Sequence, residues 1–538
     1  MASARVLTSH NSPLQLGHLP IGPRLGAVGF TICPGKKQAN SISGQWQRDM
    51  DIDLDALLDW GAAAVVTLMP MEELHFVQAQ DIGAACEARG MEWHHLPITD
   101  VDVPDADFEA AWVYSGLRLR DHLRHGRNVL VHCRGGLGRS GTIAARLLVE
   151  LGWPAADAIA AVRAQRKGAI ETSAQEQHVR QLPGPISADA DAATARVLGC
   201  VLGGAVGDAF GYEIEFDRWP AIERKHGAQG LQQPVLHGGQ LVVSDDTQMT
   251  LFTLEALNLL LPTQGHAVSE ISLRPLMAAC QHAYLRWGHT QGARLPDLYD
   301  DGPQAQLFQS PAMRHRRAPG NTCLAAVQAG ALGTCDAPIN DSKGCGGVMR
   351  TAPIGLMPSA SPQLAFDLGC MAGALTHGHV DGWLPAGMVA AMVRLLMAGE
   401  SMEHAAEQAL TLNQRQPGVA NSGSHRLLRA ALRLADERLP PQAAHATLGE
   451  GWTGDEALAI AVHAVLCAGS FEDAIRIAAN HDGDSDSTAS IAGQLHGARD
   501  GVLAVPHRWI RHLDVLPDAL RLVAEFVALN QPAERPRR

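Results

Sequence analysis

The residues with the clearest chemical signature stand in VHCRGGLGRSG, residues 131–141, where an arginine follows a cysteine by six positions across a glycine-rich turn. The apolar run NVLVHC before the turn predicts a strand, and SGTIAARLLVEL after it predicts a helix. Glycines let backbone N–H groups converge on one anion, and the start of a helix adds positive potential. The stretch therefore predicts a phosphate site that also stabilises a thiolate on Cys133.

This arrangement indicates a nucleophilic phosphatase step. We expect Cys133 to attack phosphorus, and Ser140 to hydrogen-bond its sulfur when it leaves in the second step. We expect the planar fork of Arg139 to hold two oxygens of the transferring group. The reaction also needs an acid for the leaving oxygen, and HHLPITDVDVPD supplies several aspartates upstream.

WHHLPITD, VHCRGGLGRSG and KGAIETSAQ together resemble the dual-specificity protein phosphatases, especially the cyclin-dependent kinase inhibitor 3 branch, over roughly residues 20–182. The resemblance implies that Asp100 is the general acid, with Asp102 and Asp105 as substitutes. It also implies that Gln175 positions the hydrolytic water, that His132 supports the loop, and that no cofactor is needed. The loop residues expected to bind substrate are Arg134, Gly135, Gly136, Leu137 and Gly138.

Two acidic clusters lie far apart in the rest of the chain. SDDTQMT brings Ser244, Asp245 and Asp246 to the start of a predicted helix, and NHDGDSDSTASIAG brings Asp484 and Asp486 to another. Either cluster alone is typical of a helix N-cap. Together, with Ser487, they supply four carboxylates and two hydroxyls, a ligand set for two Mg²⁺-like ions.

GCVLGGAVGDAFGYEIEF, SDDTQMT, SKGCGGVMRTAPIGL, ALTHGH and NHDGDSDSTASIAG, in this order, resemble the ADP-ribosylglycohydrolase family. The resemblance implies an all-helical domain with two Mg²⁺ ions, Mn²⁺ in some members, that cleaves ADP-ribose at its anomeric carbon from an acceptor such as arginine or serine. The metal ligands carried over by motif are Ser244, Asp245, Asp246, Asp484, Asp486 and Ser487. Asp482 is expected to support the site or to be solvated.

The remaining candidates in this half are less sharply defined. Glu215 matches the acidic residue that assists the reaction in the family, and Glu213 is the neighbouring alternative. Asp208 is expected to cap or brace a helix. The segments NDSKGCGGVMRTAP and ALTHGH are expected to approach the substrate's pyrophosphate or distal ribose, through Ser342, Lys343, Gly344, Gly346, His377 and, less directly, His379.

The composition of the chain limits the kinds of partner that we expect it to bind. The net charge of -13 argues against general affinity for nucleic acid or an anionic membrane. Ten cysteines without a Cys-x-x-Cys pair fit reduced thiols, and the start lacks a signal-peptide core, so we expect a cytoplasmic protein. We expect the partners to be phosphorylated and ADP-ribosylated proteins or small molecules derived from ADP-ribose.

The secondary structure that must position these residues differs between the first and second parts of the chain. Strand-like and helical runs alternate in the first part, and Ala- and Leu-rich helical segments fill the second. The sequence therefore predicts a multidomain protein, an α/β cysteine-phosphatase domain followed by an all-α domain. The expected boundaries are 1–182 for the phosphatase domain, 183–195 for a linker, 196–529 for the helical domain and 530–538 for a flexible tail.

The leading hypothesis is a bifunctional hydrolase, a phosphatase joined to an ADP-ribosyl glycohydrolase. One alternative is that the second domain is a reader, which binds ADP-ribose without cleaving it. Another, in which the first domain only docks phosphoproteins, is disfavoured because nucleophile, arginine and acid candidates are all present.

Overall fold

A computed structural model describes residues 6–41, 44–264, 273–293, 305–330, 333–414, 419 and 421–530. The chain divides into two compact units, Met1–Asp191 and Ala192–Arg538. The first unit combines strands and helices and the second is helical, so the predicted fold classes are confirmed. Each unit is described by itself below.

A five-stranded sheet forms the centre of the first unit, in the order β2-β3-β8-β6-β7. All its neighbouring strands are parallel except β2 and β3, which pair antiparallel. A smaller sheet has the order β1-β5-β4. The strands are β1 (Val6–Leu7), β2 (Gly17–Pro20), β3 (Ala27–Ile32), β4 (Lys37–Gln38), β5 (Gln45–Gln47), β6 (Ala62–Thr67), β7 (Glu92–His95) and β8 (Asn128–Cys133).

Strand β8 is the middle strand, and from Val129 to Cys133 every residue is buried. This suits a strand covered on both faces, as parallel strands are. Helix α5 packs on β3 and β8 and is buried along its whole length. The helices of this unit are α1 (Met50–Asp59), α2 (Met71–Phe76), α3 (Ile82–Glu87), α4 (Ala106–Arg124), α5 (Gly138–Glu150), α6 (Ala155–Gln165) and α7 (Ser173–Arg180).

The second unit is built from helices with short 3₁₀ turns; among its described residues the β-type pairing consists of isolated bridges. Helix α15 packs closely on α14 and also contacts α16, α19 and α21. The helices are α8 (Ala188–Tyr212), α9 (Trp219–His226), α10 (Asp245–Gln264), α11 (Leu273–Thr290), α12 (Asn321–Ala329), α13 (Ala352–Gly355), α14 (Pro362–Ala374), α15 (Val380–Met397), α16 (Met402–Gln414), α17 (Gly423–Asp436), α18 (Pro441–Leu448), α19 (Gly454–Cys467), α20 (Phe471–Ala479), α21 (Ser485–Asp500), α22 (His507–Ile510) and α23 (Leu516–Leu529).

Helices α8 and α21 cross at backbone contact. A Cβ added to Gly207 would lie 2.1 Å from the carbonyl oxygen of Ala489, and one added to Gly211 would lie 2.1 Å from the carbonyl oxygen of Ser485. Gly199 and Gly203 make the same kind of approach further along. Four glycines spaced by one helical turn therefore let two helices approach more closely than side chains would allow.

The segment predicted as a linker, 183–195, is not irregular throughout, because α8 begins at Ala188. The run ADADAATA that suggested a loop is rich in alanine, the best helix former, and its aspartates suit a first helical turn. Of the predicted tail 530–538, residues 531–538 lie outside the described residues.

Within the described residues, two helices, α8 and α15, are long and apolar enough to cross a membrane. In both, most of the tested window is buried, 83% in α8 and 78% in α15. This is the pattern of core helices in a folded unit.

Candidate active sites

Cys133 ends the central strand β8 and meets the glycine loop. Its buried Sγ accepts the N–H of Gly136 at 3.2 Å and lies 3.5 Å from Oγ of Ser140. Gly136 has a φ of 67°, and a Cβ there would lie 2.5 Å from the backbone of Thr31. Only glycine lets the loop pass β3 this closely, and α5 begins at the end of the loop, so the positive end of its dipole lies near the thiol.

The rest of the loop is partly open to solvent. Gly135 is exposed, and Arg134 and Leu137 are partly exposed, around the buried cysteine. Gly138 is buried as the first residue of α5. The residues predicted to bind the phosphoryl group therefore surround Cys133 on one loop, and its rim is accessible to a substrate.

Arg139 is held rigidly beside the loop. Its Nη1 and Nη2 each lie 2.9 Å from a carboxylate oxygen of Glu73, and Nη1 donates to the carbonyl of Ile98 at 2.9 Å. Nη2 lies 3.0 Å from Oδ1 of Asp100, whose other oxygen lies 2.5 Å from Nη2 of Arg134. Asp100 thus bridges the two arginines that flank the cysteine.

The alternative acids have other partners. Asp102 accepts the N–H of Val103 at 2.8 Å. Asp105 caps α4 by accepting the N–H of Phe108 at 2.8 Å. Among the described residues, Asp100 is the only one of the three aspartates with an ion pair to Arg139. Its position favours it over both substitutes.

Gln175 and His132 lie beneath the site. The amide of Gln175 donates to the carbonyl of Asp102 at 3.1 Å, and a Cβ on Gly138 would lie 3.0 Å from its Oε1. Gln175 therefore contacts the loop, but its amide serves backbone groups, and its role towards water stays a prediction. Nε2 of His132 lies 2.7 Å from Oγ1 of Thr67, and burial lowers the pKa of His132 to about 3, so this ring is a neutral support.

In the second unit, Asp208 fixes the start of α10. This buried carboxylate accepts the backbone N–H groups of Ser244 and Thr247, each at 2.9 Å. The hydroxyl of Ser244 accepts the N–H of Asp246 at 3.2 Å. Asp245 accepts the N–H of Gly320 at 3.1 Å. Asp208 braces the helix start as expected, and Asp245 and Asp246 project from its first turn.

Asp484 plays the matching part at the start of α21. Its Oδ1 accepts the N–H of Ser487 at 3.2 Å, and its own N–H donates to the carbonyl of Glu450 at 2.8 Å. Asp486 also accepts the N–H of Ser487, at 2.9 Å. The second acidic cluster therefore caps its helix, as the simpler interpretation proposed, and both of its carboxylates also line the cavity described next.

Both helix starts open into one cavity of about 500 Å³. Its lining holds five carboxylates and one hydroxyl, from Glu215, Asp245, Asp246, Asp484, Asp486 and Ser487. Ser244 is buried beside the cavity and is not part of its lining. The fold thus unites the two distant clusters, with Ser244 serving the helix cap.

Four of the carboxylates that line the cavity have raised pKa values. Burial, reinforced by repulsion between neighbouring carboxylates, raises the pKa of Asp245 to about 8 and that of Glu215 to about 9. The same causes raise the pKa of Asp246 and Asp486 well above their usual range. Buried carboxylates in this number are costly unless a cation neutralises them.

These residues fit divalent cations. Within the described part of the chain, Oδ2 of Asp246 and Oε2 of Glu215 are buried without a hydrogen-bond partner. The donors are mainly hard oxygens, the ligand type that Mg²⁺ and Mn²⁺ prefer. Unpaired oxygens, mutual repulsion and a shared cavity are what a metal site requires before its ions bind.

Two known protein families match this chain, each over a different part of it. The family described as ADP-ribosylglycohydrolase matches residues 189–536. The chain belongs to the ADP-ribosylglycohydrolase family. A second family, described as Swiss Army Knife protein, DSP-PTPase phosphatase domain, matches residues 42–179. This ADP-ribosylglycohydrolase family member therefore carries a phosphatase-family domain ahead of its helical unit.

Three curated proteins illustrate both halves. The chain is 24% identical to the ADP-ribosyl-[dinitrogen reductase] glycohydrolase of Rhodospirillum rubrum over 327 residues, 60% of this chain and 90% of that protein. It is 26% identical to the ADP-ribosylarginine hydrolase Tri1 of Pseudomonas putida over 167 residues, 31% of this chain and 41% of that protein. The latter match covers less than half of its relative. The chain is also 28% identical to the cyclin-dependent kinase inhibitor 3 of Rattus norvegicus over 185 residues, 33% of this chain and 82% of that protein.

Of the other residues predicted in the glycohydrolase-family unit, Gly346 lines the cavity, and Ser342, Gly344 and His377 are not part of its lining. A Cβ on Gly346 would lie 3.1 Å from His377, so this buried histidine packs under the loop. Ser342 accepts the N–H of Gly344 at 3.4 Å, which shapes the same loop. Nδ1 of His379 accepts an N–H at the start of α15. Ser342, Gly344 and His377 support the loop, and their contact with substrate stays a prediction.

Two neighbouring acids lie outside the lining of the cavity. Glu213 pairs with His237 at 2.9 Å, and Asp482 accepts the N–H of Trp219. This separates Glu213 from Glu215, which lines the cavity with Asp484 and Asp486. Asp482 supports the loop that carries Asp484, as its sequence position suggested.

The sequence did not reveal several residues at both sites. Glu73, which forms an ion pair with Arg139, lies on another helix, and no motif around it in the sequence indicates a functional role. Phe216 and Trp452 line the cavity mouth with stacked rings 6.4 Å apart, and both are exposed. Cys345 lies in SKGCGG, and nothing in that sequence indicated that its thiol donates to Oδ2 of Asp484, at 2.8 Å. The only signal for Trp452 in the sequence was a tryptophan inside a glycine-rich turn, GWTGD.

Proposed function

We propose that this chain is a bifunctional hydrolase, a cysteine-dependent phosphomonoester phosphatase joined to a Mg²⁺-dependent ADP-ribosyl glycohydrolase. The observation that carries the second activity is the cavity in which Glu215, Asp245, Asp246, Asp484 and Asp486 meet. The first rests on Cys133, which lies within one loop beside Arg139. Because the two sites use separate residues, each activity is expected to survive loss of the other.

In the phosphatase reaction, the thiolate of Cys133 attacks phosphorus and the bond to the leaving oxygen breaks. Arg139 and the loop N–H groups bind the three phosphoryl oxygens, and Asp100 gives its proton to the leaving oxygen. Water then cleaves the phosphorus–sulfur bond and releases phosphate. Ser140, 3.5 Å from Sγ, stabilises the departing thiolate.

In the glycohydrolase reaction, the bond between the anomeric carbon and the acceptor breaks, and water supplies the new hydroxyl. Metal ions held by the aspartates would bind the ribose hydroxyls and offset the negative charge of the cavity. Glu215, with its unpaired Oε2, takes the proton from the attacking water or supplies one to the acceptor. The loop at Gly346 leaves room for the rest of ADP-ribose.

The name of one relative, ADP-ribosylarginine hydrolase, supports arginine-linked ADP-ribose as the first substrate to test. Phosphorylated and ADP-ribosylated proteins are therefore the proposed partners. The charge of the chain, -13, suits protein or small-molecule substrates better than nucleic acid.

A crossed pair of variants tests the proposal. In the full chain, Cys133→Ser is expected to abolish hydrolysis of an aryl phosphate and leave release of ADP-ribose unchanged. Asp246→Asn is expected to do the reverse. Loss of both activities in either variant would contradict independent sites. Tight ADP-ribose binding without release from arginine-, serine- or acetyl-linked substrates would replace the glycohydrolase by a reader.

A further inference from the structure

Lys36 is buried beside the phosphatase loop. It lies just after β3, whose residue Ile32 pairs with Cys133 of β8, and it is only 5% exposed. Its Nζ donates to the carbonyl oxygen of Arg134 at 3.4 Å and lies 5.6 Å from the centroid of the Trp46 ring. The ammonium group is therefore held against the residue that follows the nucleophile, where little water can reach it.

Among the described residues, no carboxylate pairs with this ammonium group. The buried carboxylate of Asp53 accepts the N–H of Gly35, but both of its oxygens pair with Arg48 at 2.7 Å. Burial lowers the pKa of Lys36, as expected for a cation without a carboxylate partner. A buried charge of this kind is costly unless an anion nearby compensates it.

The arginines on the phosphatase loop already have carboxylate partners. Asp100 pairs with both Arg134 and Arg139, and Glu73 pairs with Arg139. These charges balance one another. A thiolate on Cys133 is therefore stabilised further by any additional cation close to it.

The remaining titratable groups around the cysteine leave two cations for this purpose. Burial raises the pKa of Cys33 well above its usual range, so its thiol is neutral, and the ring of His132 is neutral as well. Arg166, at the end of α6, is half-buried, and within the described chain its Nη1 has no hydrogen-bond partner. Of Lys36 and Arg166, Lys36 is the one that contacts the backbone of the loop.

That contact also orients a peptide group of the loop. In a trans peptide the C=O and the N–H point in opposite directions, so the N–H of Gly135 points away from Lys36. Turning this peptide over would break the hydrogen bond to the carbonyl of Arg134. Lys36 therefore helps to fix the direction of one of the loop N–H groups.

We infer that Lys36 is a positioning residue of the phosphatase site, which stabilises the thiolate of Cys133 by its charge and fixes the peptide between Arg134 and Gly135. Its part in catalysis rests on the proposed phosphatase activity, whereas its effect on the thiolate does not. Loss of this positive charge disfavours the thiolate, so Cys133 then reacts at a higher pH.

Alkylation of the full chain by iodoacetamide tests the charge effect, because the thiolate is the reactive form. Mass spectrometry follows the rate at Cys133 as a function of pH. In Lys36→Met the midpoint of this curve is expected to rise by about one pH unit, which slows the reaction about tenfold below the midpoint. Lys37→Met, which removes the neighbouring half-buried charge on β4, is the matched control and is expected to give the native curve. Identical curves for the native chain and Lys36→Met would overturn the inference.

Two further variants keep the test independent of a single substitution. Lys36→Arg keeps the charge and is expected to restore most of the native rate. Lys36→Gln removes the charge and is expected to shift the curve as Lys36→Met does. Urea unfolding checks that each variant is folded. A full shift in Lys36→Arg would overturn the charge effect, because it would show that only the shape of the side chain matters.

The consequence for catalysis is measured separately on an aryl phosphate. The acidic limb of kcat/KM against pH is expected to move upwards in Lys36→Met by the same amount as the alkylation curve. A shifted alkylation curve without hydrolysis by the native chain would refute the proposed phosphatase and leave the role of Lys36 standing. Hydrolysis with an unshifted alkylation curve would refute only the role of Lys36.

Discussion

A Cβ on Gly207 would lie only 2.1 Å from the carbonyl oxygen of Ala489, which is closer than any side-chain contact allows. This contact joins α8, which carries Asp208, to α21, whose first turn carries Asp486. Because Asp208 in turn fixes the start of α10, the crossing of α8 and α21 sets the distance between the two acidic clusters. Neither helix can yield at this point without moving backbone.

Gly207→Ala is therefore expected to lower the free energy of unfolding of the helical unit by about 1–3 kcal/mol. It is also expected to weaken Mg²⁺ binding, because the clusters are forced apart. Gly469→Ala is the matched control, since this exposed glycine's Cβ would lie 3.7 Å from Oδ2 of Asp473, an ordinary contact distance. Chemical denaturation and Mg²⁺ titration measure both effects, and equal effects of the two variants would contradict the role of the crossing.

Asp100→Asn is expected to lower the phosphatase kcat about 100-fold on substrates with a poor leaving oxygen, because that oxygen then leaves without a proton. An aryl phosphate whose leaving oxygen is already acidic should lose much less. Steady-state kinetics on both substrates measures the difference, with Asp102→Asn as the control. An equal loss on both substrates would show that Asp100 only holds Arg139 and Arg134 in place.

Val101, next to the proposed acid, has a φ of 61°, which a β-branched residue rarely adopts. Its side chain is exposed, so packing does not compensate for the strain. Val101→Asn is expected to raise the free energy of unfolding of the phosphatase unit by about 1 kcal/mol, and Val101→Ile to leave it unchanged. Urea unfolding measures both, and no gain in Val101→Asn would show that the turn is unstrained.

His445 is expected to make the stability of the helical unit fall with acid. Burial, with the neighbouring His481 and His463, lowers the pKa of His445 to about 3, while in the unfolded chain it titrates near its usual ~6.5. Below that pH the unfolded chain takes up a proton that the folded chain refuses, so stability is lost as the pH falls towards 3. The stabilising contribution is complete above the unfolded pKa.

Between pH 6.5 and 5 this single group should cost about 2 kcal/mol of unfolding free energy. His445→Leu is expected to lose that much less than the native chain over the same interval. Urea unfolding at both pH values measures the difference. Parallel losses in the two proteins would assign the acid sensitivity to other groups.

The sequence predicted the phosphatase loop well because its parts are local. Strand, glycine turn and helix follow one another, so Cys133 and Arg139 needed no tertiary information to be paired. The ion pair between Glu73 and Arg139 joins residues far apart in the chain, so it could be found only from the packing of α2. The resemblance already put Asp100 ahead of Asp105, and the structure supplies a physical reason, because Asp105 is used as a helix cap.

The sequence predicted a metal site from the oxygen ligands of the two acidic clusters and then from the resemblance between motifs, whereas bringing the clusters together depends on the helix crossing. Gly199, Gly203, Gly207 and Gly211 recur every four residues, a signal of close helix packing that was visible in the sequence. The role of Ser244 could not be read from the sequence. The sequence shows that a hydroxyl is present, but not which way it points, and in the structure it accepts a backbone N–H instead of lining the cavity. The alanine-rich start of α8 lies inside the predicted linker, and the sequence did not reveal it as helix because aspartate favours both loops and first helical turns.

The central claim is that the cavity formed by the two acidic helix starts hydrolyses ADP-ribosyl bonds with bound Mg²⁺. The most direct measurement is release of ADP-ribose from an arginine-ADP-ribosylated protein by the metal-depleted chain, with and without added Mg²⁺, beside Asp484→Asn. We predict release by the native chain that requires Mg²⁺ and is lost in Asp484→Asn. Release that persists without metal, or that is unaffected in Asp484→Asn, would contradict the account.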